Sequence, residues 1–356
     1  MDLRRILLLF AAALLLSTSA FAAEVPGQIE DALPRELNES VEQSDTLLAG
    51  GASYLSSLAR TALADVLRGG VRSCTALMLL SLLCGTLDGL SDGAGEEAVR
   101  FVPYFGVLGA ALLTAGDLTA FIGLGARTVD ELGTLSRLLL PTVAAAMASG
   151  GYVGTASLWQ VGTLMMCDTL STLIRELLLP LVYCYIALAA AGAILPKSRL
   201  DGLAGAVKKL ITWGVSGAVV LFTAYLSVSN VLTGSADRLA VRAGSFVISN
   251  AVPVVGGILS EAAETVLSGA GALRGTVGTL SIFAVLAVCA APLVQLLAQF
   301  VFYQAAAFLS AMAGTEALQK FIERLSGAFA LVLALTASCA TLLLAALLVS
   351  VTMVTP

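Results

Sequence analysis

Histidine is absent from all 356 residues, and charged residues make up only 12% of the chain. The first absence excludes Ser-His and Cys-His nucleophile pairs, imidazole metal ligands and imidazole proton shuttles together. The second excludes an ordinary soluble surface, which draws on roughly 25% charged residues. Basic residues are scattered singly or in small groups, and with a net charge of −5 no face for nucleic acid is expected. The six cysteines (Cys74, Cys84, Cys167, Cys184, Cys289, Cys339) stand far apart in apolar surroundings, with no pair at metal-ligand spacing. They read as small apolar fillers, so neither a metal nor a cofactor is expected.

What remains is apolar. Hydrophobic residues make up 58% of the chain, with 34 glycines among the rest. No soluble core could hide that much apolar surface, so the chain is expected in a lipid bilayer as an all-α, polytopic transmembrane helix bundle. The opening "MDLRRILLLFAAALLLSTSAFAAE" has a basic pair, an apolar stretch and an Ala-Phe-Ala ending, the three parts of a cleaved secretory signal over residues 1–23. Residues 24–70 follow as a short polar and amphipathic extracytoplasmic region. Its first half carries seven acids against one arginine, and Tyr54, Leu55, Leu58, Ala62, Val66 and Leu67 recur later at helical spacing. The multi-pass domain fills 71–356.

Apolar runs within it suggest spans near 73–90, 101–122, 138–156, 158–175, 177–195, 210–232, 277–296, 297–313 and 327–353. Soft boundaries within 158–195 and 277–313 leave the count at seven to nine. The densest positive loop, "PKSRLDGLAGAVKK", with Lys197, Arg199, Lys208 and Lys209, is expected on the cytoplasmic side, which agrees with an extracytoplasmic mature N-terminus. Candidate helix breaks are Pro103, Pro141, Pro180, Pro253, Gly256 and Gly257. "SRLLLPTVAAAMASGG" and "RELLLPLVYCYIALAAAG" share an arginine, a Leu-Leu-Leu-Pro and an alanine-rich continuation, and "VPYFGVL" echoes "VPVVGGIL". These are either a faint internal repeat, which in transporters points toward a central pathway, or the ordinary Pro and Gly content of membrane helices.

Charge at membrane depth costs about 2.5 to over 10 kcal/mol, so acids kept there face protein, water or a partner. Asp117 in "LLTAGDLTAF" and Asp168 in "LMMCDTLST" are the best embedded, whereas Arg175-Glu176 reads as a bend between two spans. In "ISNAVPVVGGILSEAAETVL", Glu261 and Glu264 share one helical face with Ser260, Thr265 and Ser268. Such a stripe must meet water, a cavity or another protein. Asp117, Asp168, Glu261 and Glu264 are therefore the candidate pathway or partner-facing residues, and no catalytic constellation accompanies them.

"FVPYFGVLGAALLTAGDL" together with "SNAVPVVGGILSEAAETVL" resembles the stage III sporulation protein AE family of endospore-forming Firmicutes. The likeness covers most of the chain, with Ser-Glu-Ala standing at 260–262 where Ser-Asp-Ala is the family expectation. The resemblance implies a non-catalytic membrane platform or conduit in a secretion-like channel complex between mother cell and forespore, placed in the mother-cell membrane around the forespore. It implies as partners the other membrane and ring proteins of the stage III complex and a secretion-type ATPase. From another class, a stand-alone secondary transporter or permease working by alternating access around the same acids is the alternative.

Overall fold

The computed structural model describes residues 69–89, 102–149, 153–195, 200–251, 256–313 and 315–352, with side chains for all of these except 230–251, 256–276, 279–280, 313 and 351–352. The signal expected at 1–23, the polar region as far as residue 68, and Pro253 lie outside the described residues. Every element that is described is helical: α1 (Gly69–Gly89), α2 (Val102–Ser149), α3 (Val153–Leu173), α4 (Leu179–Ile194), α5 (Leu200–Ala251), α6 (Gly256–Ala313) and α7 (Glu316–Thr352).

The central helix is α7. From Ser326 to the end of α7 no charged residue occurs, and 72% of its most apolar stretch is buried, against 22–39% for the other long helices. A helix that is hydrophobic all round has to be surrounded. Its small residues let neighbours approach closely. Gly125 of α2 is one such contact: a Cβ there would stand 2.6 Å from Val332 Cγ1 and 3.3 Å from Thr336 Oγ1. Phe121, Tyr303 and Phe329 bring aromatic rings from α2, α6 and α7 together, with the Tyr303 and Phe329 centroids 4.5 Å apart. Several buried hydroxyls are satisfied by their own helices, as where Thr114 donates to the Ala110 carbonyl at 2.8 Å and Thr336 to the Val332 carbonyl at 3.0 Å.

Phe105, Leu112, Trp213, Phe308 and Met312 stand on the outside, each at least two-thirds exposed. Together with six helices among the described residues that are long and apolar enough to cross a membrane, this outer surface fits a bundle bathed in lipid.

Among the described residues the chain reverses less often than the apolar runs suggested. The run 101–122 and the part of 138–156 up to Ser149 lie on one unbroken helix, α2, whose 48 residues rise about 72 Å at about 1.5 Å each, whereas residues 153–156 of the second run already belong to α3. Likewise 158–175 and 177–195 belong to one continuous helical stretch, Val153–Ile194. The six apolar helices stand against an expected seven to nine spans. Charges between two apolar runs are read in a sequence as a loop, yet here they lie on helix that carries straight on. Lys208 and Lys209, placed by sequence in a positive loop, are also helical, because α5 starts at Leu200 with Asp201 in its first turn, where an acid favours the helix N-terminus.

The expected helix breaks resolve differently. Pro103 sits in the first turn of α2, where a missing N–H costs nothing. Pro141 is inside α2 without ending it. Pro180 follows a π-helical turn, Ile174–Leu178, in which the Leu179 N–H donates to the carbonyl five residues back, Ile174. In an α-helix the Pro180 ring would press on the Glu176 carbonyl, which it cannot satisfy, and the wider turn relieves that clash. Gly256 and Gly257 open α6.

Candidate functional site

Helices α2 and α3 form an antiparallel hairpin, and the charges midway along it pair across the seam. Arg137 of α2 donates to Asp168 Oδ1 of α3 through Nη2 at 2.8 Å and through Nε at 3.2 Å. Two turns away, Arg175 of the π-helical turn pairs with Asp130 of α2. Between the two pairs lies a cleft of about 220 Å³, with Thr134 and Thr172 on opposite walls.

The arrangement is symmetric, and so is its sequence. "DELGTLSR" (130–137) and "DTLSTLIR" (168–175) share Asp, Leu, Thr, Leu and Arg at the same five of eight positions. Seven residues return a helix to nearly the same face. Two such segments laid antiparallel therefore put each Asp opposite the other's Arg. Leu-Leu-Leu-Pro follows both segments, directly after Arg137 but with Glu176 interposed after Arg175. That one extra residue lies inside the π-helical turn, whose i→i+5 spacing accommodates one residue more than an α-turn. The first and last leucines of the two runs keep their faces, with Leu138 and Leu177 exposed and Leu140 and Leu179 buried, while the middle ones differ: Leu139 is half-buried and Leu178 buried. The faint repeat in the sequence is, in the fold, a pair of segments facing one another.

All four paired side chains are substantially exposed, from 41% for Asp130 to 66% for Arg137. In water such pairs contribute about 0–1 kcal/mol. Against hydrocarbon the same exposure would have another meaning, since hydrocarbon cannot solvate charges and they would require water or polar protein beside them.

Asp117 lies 13 residues before Asp130 on α2, which turns it to the opposite side of the helix. There it accepts a hydrogen bond of 2.9 Å from Tyr303 Oη of α6, which is itself buried. Gln299, one turn before Tyr303, is buried with its Oε1 unpartnered. Asp117 and Asp168 thus belong to different faces, and the described clefts that contain Asp168 do not contain Asp117. Glu261 and Glu264 fall within the backbone range of α6, but their side chains lie outside the described residues.

Sequence reasoning singled out Asp168 but missed Asp130, Arg137 and Tyr303, and took Arg175 for a bend. The Asp-to-Arg spacing of seven, occurring twice, was the signal available for the first two. Nothing in the spacing announced Tyr303. Among the described residues no group of three or more acidic or cysteine side chains is arranged to hold a metal ion, and all six cysteines are unbridged thiols.

The family model described as "Stage III sporulation protein AE" matches residues 50–354. The chain belongs to this family. Stage III sporulation protein AE of Bacillus subtilis (strain 168) is 23% identical over 240 residues, covering 67% of this chain and 60% of that relative. The aligned stretch thus spans less than two thirds of the relative's length. No solved structure matches. The two segments first noted for their likeness to the family, which begin at residues 101 and 249, both fall within the matched range. So does the Asp-Arg cleft.

Proposed function

We propose that this stage III sporulation protein AE family member is a membrane-embedded platform or conduit component of the channel complex that joins mother cell and forespore. It acts by assembly, without catalysis of its own. The observation that carries this reading is the Asp-Arg cleft: two facing ion pairs, partly exposed, on the flank of a bundle whose outer surface also presents large apolar side chains such as Leu112, Trp213 and Met312. A lone protein in lipid would gain by burying or losing those charges, whereas a subunit that meets polar protein at that flank has a use for them. The partners on this reading are the other membrane and ring proteins of the stage III complex and a secretion-type ATPase. The protein sits in the mother-cell membrane around the forespore, with its mature N-terminus between the two membranes.

Deleting the gene in its spore-forming host should stop development after engulfment, and heat-resistant spores at wild-type frequency would overturn the sporulation role. The platform role is tested separately with a photo-crosslinking residue in place of Thr134 or Thr172. Adducts with other proteins of the complex in sporulating cells are expected. Adducts with lipid alone would refute assembly through this flank.

A further inference from the structure

A second cleft, of about 320 Å³, lies at the end of the bundle where α1, α4 and the beginnings of α2, α5 and α7 meet. We propose that it is a binding site for a phosphate group.

Three observations converge on it. Thr315 stands immediately before α7, where a Thr side chain ordinarily caps the helix by accepting from an N–H of the first turn. Its carbonyl takes the Gln319 N–H at 3.1 Å, but its Oγ1 is buried without any hydrogen-bond partner, and the residue is only 7% exposed. Arg324, two turns further on, gives one guanidinium nitrogen to Asp201 Oδ1 at 2.9 Å, while its Nη1 is likewise buried and unpartnered. An unsatisfied buried donor costs about 1–3 kcal/mol, and more when charged. Two at one cleft call for a ligand with several acceptor oxygens. Finally, α7 directs its N-terminus at the same cleft, and the first N–H groups of any helix lack intrahelical acceptors and favour anions.

Gly192 makes room for the arrangement. A Cβ there would stand 2.6 Å from Asp201 Oδ1 and 3.0 Å from Arg324 Nη1. The acids on the wall are already engaged: Asp201 by Arg324, and Glu316 by Lys320 at 2.5 Å, while Asp88 also has a partner. Lys320 and Glu316 are both more than half exposed, so Lys320 can exchange Glu316 for an incoming anion at small cost. Tyr104 lines the cleft, and Phe105 beside it is 71% exposed. The cleft therefore opens where the apolar flank begins, the depth at which phospholipid headgroups lie. The phosphate belongs either to such a headgroup or to a free anion, and the recognising chemistry is the same.

The test uses the full-length protein purified in a neutral detergent. Binding of phosphatidylglycerol, of phosphatidylcholine and of inorganic phosphate is followed by native mass spectrometry and by thermal midpoint. The wild type is expected to retain phosphatidylglycerol or to be stabilised by inorganic phosphate. The first result assigns the site to a lipid and the second to a free anion. Thr315→Val, which removes one oxygen at constant shape, and Arg324→Gln should each weaken binding about tenfold. Glu316→Gln should strengthen it by freeing Lys320, an effect that damage to the fold would not produce. Equal binding of phosphatidylcholine and phosphatidylglycerol with no response to phosphate would overturn the proposal, as would unchanged affinity in Thr315→Val and Glu316→Gln together.

Discussion

Arg137 and Asp168 meet across the α2–α3 seam by two hydrogen bonds to one carboxylate oxygen, at 2.8 and 3.2 Å. The pair is one half of a ladder whose other half, Asp130 and Arg175, runs the opposite way. Exchanging the charges should therefore be better tolerated than removing one. Arg137→Ala and Asp168→Ala are each expected to destabilise the detergent-purified protein, whereas Arg137→Asp combined with Asp168→Arg recovers most of the loss. The coupling energy should be about 0.5–1 kcal/mol, because both side chains remain open to solvent. A thermal-midpoint double-mutant cycle measures it. Strictly additive losses would show that the pair is incidental.

The extra residue in the second arm of the ladder makes a sharper prediction. If the π-helical turn at Ile174–Leu178 exists to absorb Glu176, deleting Glu176 should return the segment to α-helix and leave Leu178, Leu179 and everything C-terminal on their present faces. Deleting Ala190 instead rotates the rest of α4 by about 100°, turning buried Gly192 and Ala193 away from their neighbours. The Glu176 deletion should lower the thermal midpoint by only a few degrees, while the Ala190 deletion should reduce folded yield severely. Equal damage from both would remove the explanation given for the turn.

What the sequence disclosed and what it hid divide along the same line. Long apolar runs and sparse charge were enough to foresee that the described residues would be helical, with helices long and apolar enough to cross a membrane, because the hydrophobic effect acts on composition. The continuity of α2 was not legible. Arg127, Asp130, Glu131 and Arg137 look like a loop until the chain 31 residues further on, at Asp168, supplies a partner for Arg137. Pro180 looked like a break for the same reason, since its cost is offset by a turn geometry that depends on a one-residue offset. Asp117 was singled out for its depth in an apolar run, and the group that donates to it, Tyr303, is 186 positions away, beyond any local pattern.

Close packing around α7 gives a third expectation. Gly125 leaves no space for a methyl group against Val332, so Gly125→Ala should destabilise by about 1–3 kcal/mol through overpacking. Adding Val332→Ala should recover part of that loss, since it removes the atom that the new Cβ would strike. Thermal unfolding of the two single variants and the double variant tests this. If Val332→Ala fails to relieve Gly125→Ala, the two helices do not meet there.

Tyr303 offers the cleanest separation of a polar contact from packing. Its hydroxyl donates to Asp117 at 2.9 Å while its ring packs on Phe329 with centroids 4.5 Å apart. Tyr303→Phe deletes the first and keeps the second. The Asp117 carboxyl, half-buried beside α6, then loses a donor that lipid cannot replace, and a hydrogen bond to a charged group is worth about 1.5–3 kcal/mol. Asp117→Asn retains an acceptor for the same hydroxyl and should cost less. The order expected in thermal midpoint is wild type, then Asp117→Asn, then Tyr303→Phe. The double variant should be little worse than Tyr303→Phe alone, because the shared bond is already gone. A Tyr303→Phe protein as stable as wild type would mean that Asp117 is satisfied by something other than α6, and its side of the bundle would then become the place to look for an aqueous or partner-lined path.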